Sequence, residues 1–426
     1  MKIKWQGKNV NLVTVGKTKL HDHLTIQSAL DAIEATYDAA PDNEYMISVG
    51  KGYWTNADAQ TKHHLSHVHV CAEHRGEAVL YVDDSAYAGG TFIIADNTAS
   101  GWNPFTTENV ILDGLCIVSG LSGAGKGAAG PPEGALYIGK ESTYPTSGVV
   151  SWDNITVSNC IIDGEHDGIQ LFGMGFDTAP GSIVVQNNLI RSQHDAFTVK
   201  GGMRVDSIGN NIQAITAANK TPRLDSAADW KTTGFHTRTD DGVVNANCYI
   251  HSVKDNIYVH ATNIIGASAA NACAGILHYE PIGGLFTGST VSYPMRISGS
   301  VIYVEYDYDY TPAYPPAAIA VVRTHVTDPT PIVVNGCKLA VRQLNTGASA
   351  PDTVAGVYVR PEPTAASVVD PVTITNCMIE VSNDKAASNA YSLMAGVDTQ
   401  SSQITQGGNY SHQATNGTMN TLTELS

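Results

Sequence analysis

The sequence predicts an all-β protein whose short strands stack into a solenoid, and three observations favour this fold. Charged residues make up 15% of the 426-residue chain, compared with about 25% in typical soluble proteins, which suits short strands joined by polar turns. The step from Asn159 to Asn187 is 28 residues, too short for a βαβ unit of about 30 or more residues. A motif in which Asp follows Asn after eight residues also recurs, and such repetition is expected of the stacked coils of a solenoid. It runs from Asn159 to Asp167, from Asn187 to Asp195 and from Asn247 to Asp255.

A short helix is predicted before the first coil. Ile26, Ala29, Leu30 and Ile33 have the i, i+3, i+4, i+7 spacing of one helical face, and Thr25 is a suitable N-cap. A helix here would cover the open end of the solenoid, where unpaired strand edges otherwise invite aggregation.

The rest of the chain predicts one continuous solenoid domain. Strand-like runs bounded by Gly, Asn, Asp or Pro follow one another, and no linker divides them. We expect an N-terminal arm over residues 1–23, the solenoid over 24–400 and a C-terminal cap or tail over 401–426. A polar loop is expected to be inserted near residues 214–236.

Four of the seven cysteines fall at one repeat position. Stacked coils would place them in an inward-facing row, where cysteine behaves as a small buried hydrophobe. The sequence therefore predicts no disulfide and no metal site along this row. These residues are Cys160, Cys248, Cys337 and Cys377.

The charge balance excludes several classes of partner. The chain has 40 acidic and 24 basic residues and a formal charge of −16, which repels nucleic acid and anionic membranes. No run approaches the ~18 apolar residues that membrane insertion needs. The segment Met1–Lys8 is not followed by an apolar signal-peptide core, so we expect a protein made in a host cytoplasm without Sec export.

A family resemblance is carried by three segments, which are residues 24–33 with 47–53, residues 110–115, and residues 373–379. The helix, strand and Gly-x-Tyr turn, followed by coils with Asn phrases, resemble the right-handed parallel β-helix superfamily. This pectin lyase-like group includes pectate lyases, pectin methylesterases, polygalacturonases and bacteriophage tailspikes. The resemblance spans roughly residues 20–400 and implies a single-stranded right-handed parallel β-helix with a short N-terminal capping helix. It also implies an asparagine ladder formed by Asn159, Asn187, Asn247 and Asn376.

The resemblance does not identify one of the family's activities. Polygalacturonases carry Asn-Thr-Asp, Asp-Asp and Gly-His-Gly, whereas the matching coils here read Glu165-His166-Asp167-Gly168 and Gln193-His194-Asp195-Ala196. The Leu-Gly-Arg-Pro-Trp motif of pectin methylesterases is absent from the sequence. The calcium cluster and catalytic Arg of pectate lyases cannot be recognised in it.

The strongest catalytic candidates are Asp167 and Asp195, together with Glu165 and His194. Stacking would place the two aspartates about one strand spacing apart, ~4.8 Å, and carboxylates this close can become one acid and one base. A glycosidase needs two such groups. The alternative is a plain turn in which Asp binds nearby backbone N–H groups, and the phrase at Asp255 favours that alternative.

Two further segments are candidates for glycan binding. Tyr306, Tyr308 and Tyr310 would point the same way from an extended segment, forming an exposed stripe for sugar stacking or a subunit interface. Arg238, Asp240 and Asp241 follow the inserted loop and fit sugar handling, although Asp-Asp-Gly is equally typical of a turn. The alternative for the tyrosines is a surface hairpin.

The sequence predicts neither a cofactor nor a metal ion. Five histidines cluster near the N-terminus, but no Cys or carboxylate spacing supports a metal site there. They are His63, His64, His67, His69 and His74.

Two functions follow from the fold that the resemblance implies. The first is a bacteriophage virion surface protein of tailspike or capsid-spike type, a homotrimer that contacts other virion proteins and binds host surface polysaccharide or decorates the capsid. The alternative is a polysaccharide-degrading enzyme, a hydrolase or lyase that uses paired carboxylates on the face of the β-helix.

Overall fold

The computed structural model describes most of the chain. The described residues are 1–36, 38–83, 90–94, 107–120, 134–139, 152–172, 181–200, 203–216, 231–238, 248–262, 272–280, 295–309, 311–312, 314–323, 332–360, 372–385, 388–395, 404–415, 418–419 and 423–425.

The described strands are short, mostly of three to nine residues, and are numbered in chain order. They are β1 Lys2–Trp5, β2 Lys8–Val15, β3 Glu44–Val49, β4 Gly52–Thr55, β5 Thr61–His63, β6 Val68–Ala72, β7 Ala78–Val82, β8 Phe92–Ile94, β9 Thr107–Asp113, β10 Cys116–Ser119, β11 Gly134–Ile138, β12 Trp152–Ser158, β13 Ile161–Gly164, β14 Asp167–Phe172, β15 Gly181–Gln186, β16 Leu189–Ser192, β17 Asp195–Lys200, β18 Met203–Ile208, β19 Asn211–Ile215, β20 Lys231–Arg238, β21 Cys248–Val253, β22 Asn256–Thr262, β23 Ala272–Glu280, β24 Met295–Ser298, β25 Val301–Asp307, β26 Ala317–Arg323, β27 Ile332–Asn335, β28 Lys338–Gln343, β29 Thr353–Arg360, β30 Val372–Thr375, β31 Met378–Asn383, β32 Asn389–Ala395, β33 Ile404–Gly407, β34 Asn409–Thr415, β35 Thr418–Met419 and β36 Thr423–Leu425. The helices are α1 Ile26–Ala35 and a 3₁₀ turn at Asn56–Asp58.

These strands form three long sheets, because each strand of a coil pairs with the strand three further along the chain. The first sheet runs from β1 through β3, β6 and β9 to β33, the second from β4 through β7 and β10 to β34, and the third from β5 through β8 and β11 to β32. Pairing is parallel along all three, apart from β1 with β2 and the C-terminal β35 and β36 with β34. The chain is therefore a right-handed parallel β-helix, as predicted.

The predicted helix is present as α1, and its N-terminus is capped as expected. The Thr25 hydroxyl accepts from the Ser28 backbone N–H, and the two residues complete a capping box. Ile26, Ala29, Leu30 and Ile33 are all buried. They join the main core inside the coils, so α1 closes the N-terminal end of that core.

The recurring Asn marks a tight turn between the first and second sheets. Asn159, Asn187 and Asn376 have φ values of 54° to 56°, in the left-handed region that Asn tolerates better than most side chains. Other coils place Gly at this turn, for example Gly209 and Gly336.

The buried ladder lies one residue after the predicted asparagines. Asn188 Nδ2 donates to Val157 O at 2.9 Å, and Asn210 Nδ2 donates to Val185 O at 2.8 Å. Asn210 Oδ1 accepts from the Asn188 backbone N–H at 2.9 Å. Asn159, Asn187 and Asn376 occupy the turn and not this buried ladder, so that part of the assignment was wrong. The Asn159 and Asn376 amides nevertheless donate to Asp113 and Asn335 of the preceding coil, at 2.7 and 3.1 Å. Asn247 lies outside the described residues.

Cysteines occupy the ladder position in three coils. Cys160, Cys337 and Cys377 are at most 3% exposed, and among the described residues they are free thiols. This confirms the inward-facing row for these three. Cys248 does not belong to it, since it begins β21 in the first sheet.

Both ends of the predicted domain contain strands. The segment predicted as an arm contributes β1 and β2, and β2 pairs parallel with β3. The segment predicted as a cap or tail contributes β33 to β36. Residues 231–236 of the predicted inserted loop belong to β20, which begins at Lys231, and residues 217–230 lie outside the described residues.

None of the helices in the described part of the chain has the length and apolar run needed to cross a bilayer.

Candidate functional site

The candidate site lies on the outer face of the third sheet, where β14, β17 and β20 are neighbours. In a regular strand, residues three apart face opposite sides. Here Ala196 and Phe197 both join the inner core, which places Asp195 and Thr198 on the same outer face. β20 repeats the arrangement, with Gly234 and Phe235 between Thr233 and His236. A Cβ on Gly234 would come within 2.6 Å of Gly275 O, so this position requires glycine.

Two His-Asp pairs meet at this face. Ile169 pairs with Phe197, so Asp167 and Asp195 begin adjacent strands in the same register. Asp195 donates its backbone N–H to Asp167 Oδ1 at 3.2 Å. The structure thus brings together the two aspartates that the repeat predicts to be neighbours.

The histidines of the two pairs lie against the same carboxylate. His166 Nδ1 and His194 Nδ1 are 3.2 and 3.0 Å from Asp167 Oδ1. Their rings are stacked with centroids 4.4 Å apart and planes 17° apart. His194 Nδ1 is also 3.3 Å from Asp195 Oδ2, so this one imidazole lies between both carboxylates.

His236 completes the site and was not anticipated from the sequence. Its Nδ1 lies 2.8 Å from Asp195 Oδ2, and its side chain is 2% exposed. The Thr233 hydroxyl donates to the other oxygen of Asp195 at 2.5 Å. Asp195 is thereby fixed on both oxygens and orients the His236 ring.

Asp167 is held in place by uncharged neighbours as well. The Gln170 side-chain amide donates to Asp167 Oδ2, and the Thr198 hydroxyl lies 3.5 Å from the same oxygen. Asp167, Gln170 and Thr198 are each at most 3% exposed. Such a buried polar group is stable only when its hydrogen bonds are satisfied, so this network fixes the carboxylate.

The pKa values of Asp167 and Asp195 differ from the expectation that one carboxyl is a general acid and the other a general base. Burial acts to raise the pKa of Asp195, but the adjacent imidazoles of His194 and His236 outweigh it and hold the pKa at about 2. Burial likewise opposes ionisation of Asp167, yet His166 and His194 keep its pKa well below the usual value. Both carboxylates are ionised near neutral pH, so neither is the general acid.

An open cleft adjoins this cluster. Its volume is about 360 Å³, within the range of roughly 300–1,000 Å³ typical of ligand sites. The lining includes Tyr81, Glu165, Arg191, Gln193 and Gln213. Glu165 and Gln193 precede His166 and His194 in the chain, so the cleft and the cluster are built from the same two turns.

Glu165 lies in the cleft and not among the buried carboxylates. Its backbone N–H donates to Ser119 O at 3.1 Å, which fixes the turn that carries it. Beside it, Arg191 and Asp163 form an ion pair at 2.7 Å, with both side chains more than a third exposed.

The third Asp of the Asn–Asp motif, Asp255, lies at a different position in its coil. Asp255 is 1% exposed and belongs to the ladder, where its Oδ1 accepts the Asn210 backbone N–H at 2.8 Å. It is not equivalent to Asp167 or Asp195. The expectation that Asp255 repeats their pattern was wrong, and with it the reason for preferring a plain turn at those positions.

The exposed tyrosine stripe is also corrected. Tyr306 is 1% exposed and part of the inner core, and Tyr308 packs against that core. Every second residue of β25 points inward, so Tyr306 lies on the same inner face as Val304. Tyr310, Asp240 and Asp241 lie outside the described residues, as does the side chain of Arg238.

Another tyrosine of the same strand faces outward instead. Tyr303 stacks on Tyr258 of the preceding coil, with centroids 5.6 Å and planes 11° apart. Both hydroxyls donate to Glu305, at 2.6 and 2.8 Å. Tyr258 pairs with Gln213 along the second sheet, so this polar aromatic row continues from the cleft.

Among the described residues, His166, Asp167 and His194 form a group with metal-ligand character, since one ligand atom from each lies within 4.8 Å of the others. The expected N-terminal histidine cluster forms no such group in the described part of the chain. His63 instead bonds Val68 O at 2.8 Å, and His69 bonds Glu44 at 3.2 Å.

No protein-family model matches the chain, and no curated protein matches it either. Solved structures are similar to it at the level of the fold. The A-module of mannuronan C-5 epimerase AlgE6 from Azotobacter vinelandii has a TM-score of 0.47 and 11% identity, covering 91% of this chain and 94% of its own. DFA-IIIase from Arthrobacter chlorophenolicus A6 has a TM-score of 0.42 and 11% identity, covering 95% and 93%. Pectin methylesterase from carrot has a TM-score of 0.39 and 9% identity, covering 92% and 87%.

Proposed function

We propose that the protein binds a polysaccharide across the outer face of the β-helix and cleaves it at the cluster around Asp195 and His236. The observation that carries this proposal is the contact of 2.8 Å between Asp195 Oδ2 and His236 Nδ1, made by two buried side chains. The cleft is lined by Gln193, two residues before Asp195 in the chain. A surface that only decorates a particle has no need to bury several ionisable groups together, because such burial opposes folding. Clusters of this kind are typical of functional sites.

Cleavage of a glycosidic bond by hydrolysis or elimination needs one group that accepts a proton and one that donates it. Asp195 contacts Nδ1 of His236 and orients the ring, and His236 is the first proton-exchanging group of the proposal. Glu165, which lines the cleft and precedes His166 in the chain, is the second group of the proposal. His194 links Asp195 to Asp167 and keeps the two carboxylates together.

The shape and lining of the surface favour a sugar polymer as the substrate. The cleft offers amide, carboxylate and guanidinium groups with one aromatic ring, Tyr81, a combination suited to hydroxyl groups and a pyranose face. The row from Gln213 through Tyr258 to Tyr303 extends this surface along the helix axis. Strands repeat every ~4.8 Å, a spacing close to the length of one sugar unit.

The test is incubation with a panel of neutral and uronic-acid polysaccharides, followed by measurement of reducing ends and of unsaturated products. Reducing ends alone indicate hydrolysis, and unsaturated ends indicate a lyase. Asp195→Asn and His236→Asn should each lower the rate about 10²- to 10⁴-fold. His251→Ala is the matched control, since His251 forms a similar pair with Asp206 at 3.3 Å on the first sheet, away from the site. If both site variants cleave at the wild-type rate, the assignment is wrong.

The virion location, the contacts with other virion proteins and the homotrimer are a second proposal, which rests on the family resemblance. Binding of a polysaccharide without cleavage would favour that reading over the enzyme. Light scattering after gel filtration tests the trimer. A monomer at micromolar concentration would count strongly against a tailspike or capsid-spike.

A further inference from the structure

One ligand atom from each of His166, Asp167 and His194 lies within 4.8 Å of the other two. Nδ1 of His166 and Nδ1 of His194 lie 3.2 and 3.0 Å from one oxygen of Asp167. In a tetrahedral zinc site with bonds of about 2.0–2.1 Å, neighbouring ligand atoms lie roughly 3.3 Å apart. We infer that these three side chains bind a divalent transition-metal ion of the zinc type. This goes beyond the proposed function, because metal binding does not depend on which polysaccharide is cut.

The donor set selects the class of metal. Two imidazoles and one carboxylate suit zinc and its first-row neighbours, whereas calcium and magnesium prefer sites made of oxygen atoms.

The surroundings of Asp167 match the outer shell of a metal ligand. Its second oxygen accepts from the Gln170 amide, and such contacts orient a ligating carboxylate. Asp167 is 3% exposed, so it cannot reorient freely into solvent. Asp195, 3.3 Å from His194 Nδ1, adds negative charge next to the three ligands and favours a cation there.

The test uses the full chain after treatment with a chelator and buffer exchange, titrated calorimetrically with zinc chloride. We expect one ion per chain with micromolar or tighter affinity, and visible d–d absorption when cobalt chloride is used instead. Calcium chloride should bind at least 100-fold more weakly than zinc. His166→Ala and His194→Ala should each weaken zinc binding at least 100-fold, whereas His251→Ala should not change it.

A ligand variant could also fail to fold, so each is checked by circular dichroism and Gln170→Ala provides a milder change. Loss of this outer contact should weaken zinc binding about 10- to 100-fold. The inference is overturned if the folded wild-type chain takes up no zinc at millimolar concentration, or if His166→Ala and His194→Ala bind it as wild type does. Cleavage that persists after chelation would then leave the proposed function standing. Zinc binding without cleavage of any polysaccharide would leave the metal site standing alone.

Discussion

Asp195 and His236 lie on adjacent strands of the third sheet, 41 residues apart in the chain, with Oδ2 of the aspartate 2.8 Å from Nδ1 of the histidine. The contact forms because β17 and β20 each place two successive residues on the inner face. This interrupts the usual alternation of inward and outward side chains. The side chains before and after that interruption therefore share the outer face. The geometry of the site is a property of the coil and recurs from one strand to the next.

The Thr233 hydroxyl holds Asp195 from the other side, so Thr233 is expected to act as a positioning residue. Thr233→Val keeps the shape but loses the hydrogen bond to the carboxylate, a contact of about 1.5–3 kcal/mol. We expect kcat to fall about 10- to 100-fold on a cleaved polysaccharide with KM nearly unchanged. Thr233→Ser, which retains the hydroxyl, should restore most of the rate. Equal rates for Thr233→Val and wild type would show that Asp195 does not need this contact.

Much of the fold could be predicted from local patterns in the sequence. The spacing of Ile26, Ala29, Leu30 and Ile33 defines α1, because the helical period is expressed within ten residues. The recurrence of Asn at turns likewise gives the coil step, since only Asn and Gly readily adopt the left-handed conformation there.

The ladder and the site could not be predicted in full, because both depend on register between coils. Asn187 is a turn residue and Asn210 is a ladder residue, although both are asparagines, since Gly209 takes the turn in the later coil. His236 lies beside Thr198, but the unequal length of the intervening coil hides that alignment in the sequence. Asp255 shares the eight-residue spacing by coincidence.

The ladder position of Asp255 predicts that this residue limits stability. Burial raises the pKa of its carboxyl, so the folded state disfavours the charge more than the unfolded chain does. Asp255→Asn keeps the oxygen that accepts the Asn210 N–H and removes the charge. We expect the free energy of unfolding at pH 7 to rise by about 1–2 kcal/mol, as measured by urea denaturation.

The pH dependence of the Asp255 effect has a defined sign. Because the folded pKa is raised, the charge penalty is absent below the unfolded pKa and develops as pH rises towards the folded pKa. Asp255→Asn should therefore stabilise the protein at pH 7 and have little effect near pH 3. Asp42→Asn, at an exposed aspartate, is the control. A decrease in stability at pH 7 would contradict the prediction.

Tyr306 and Tyr303 of β25 differ in the face that they occupy, and this predicts different costs of truncation. Tyr306 is 1% exposed in the core, so Tyr306→Ala should lower the free energy of unfolding by about 3–5 kcal/mol through lost packing. Tyr303 is only half-buried on the outer row, and Tyr303→Ala should cost about 1 kcal/mol. Urea denaturation of both variants measures the difference. Equal losses would mean that the inward and outward assignments along β25 are wrong.

His63 predicts how stability depends on pH at the N-terminal end. Burial lowers the pKa of its imidazole to about 3. The ring is held neutral, with Nε2 donating to Val68 O at 2.8 Å and Nδ1 accepting the Leu65 N–H at 3.3 Å. In the unfolded chain the same imidazole titrates near its ordinary pKa of about 6.5.

The sign of the effect follows from proton uptake. Between pH 6.5 and pH 3 the unfolded chain binds a proton at His63 that the folded chain does not, so stability falls with decreasing pH by about 1.4 kcal/mol per unit from this group. His69, whose pKa is lowered by burial despite its contact with Glu44, acts in the same direction. His63→Gln keeps a donor for Val68 O but does not titrate. Urea midpoints measured from pH 7 to pH 4 should therefore decline less steeply for His63→Gln than for wild type or for the exposed control His74→Gln. Three equal slopes would show that His63 takes up its proton in the folded state.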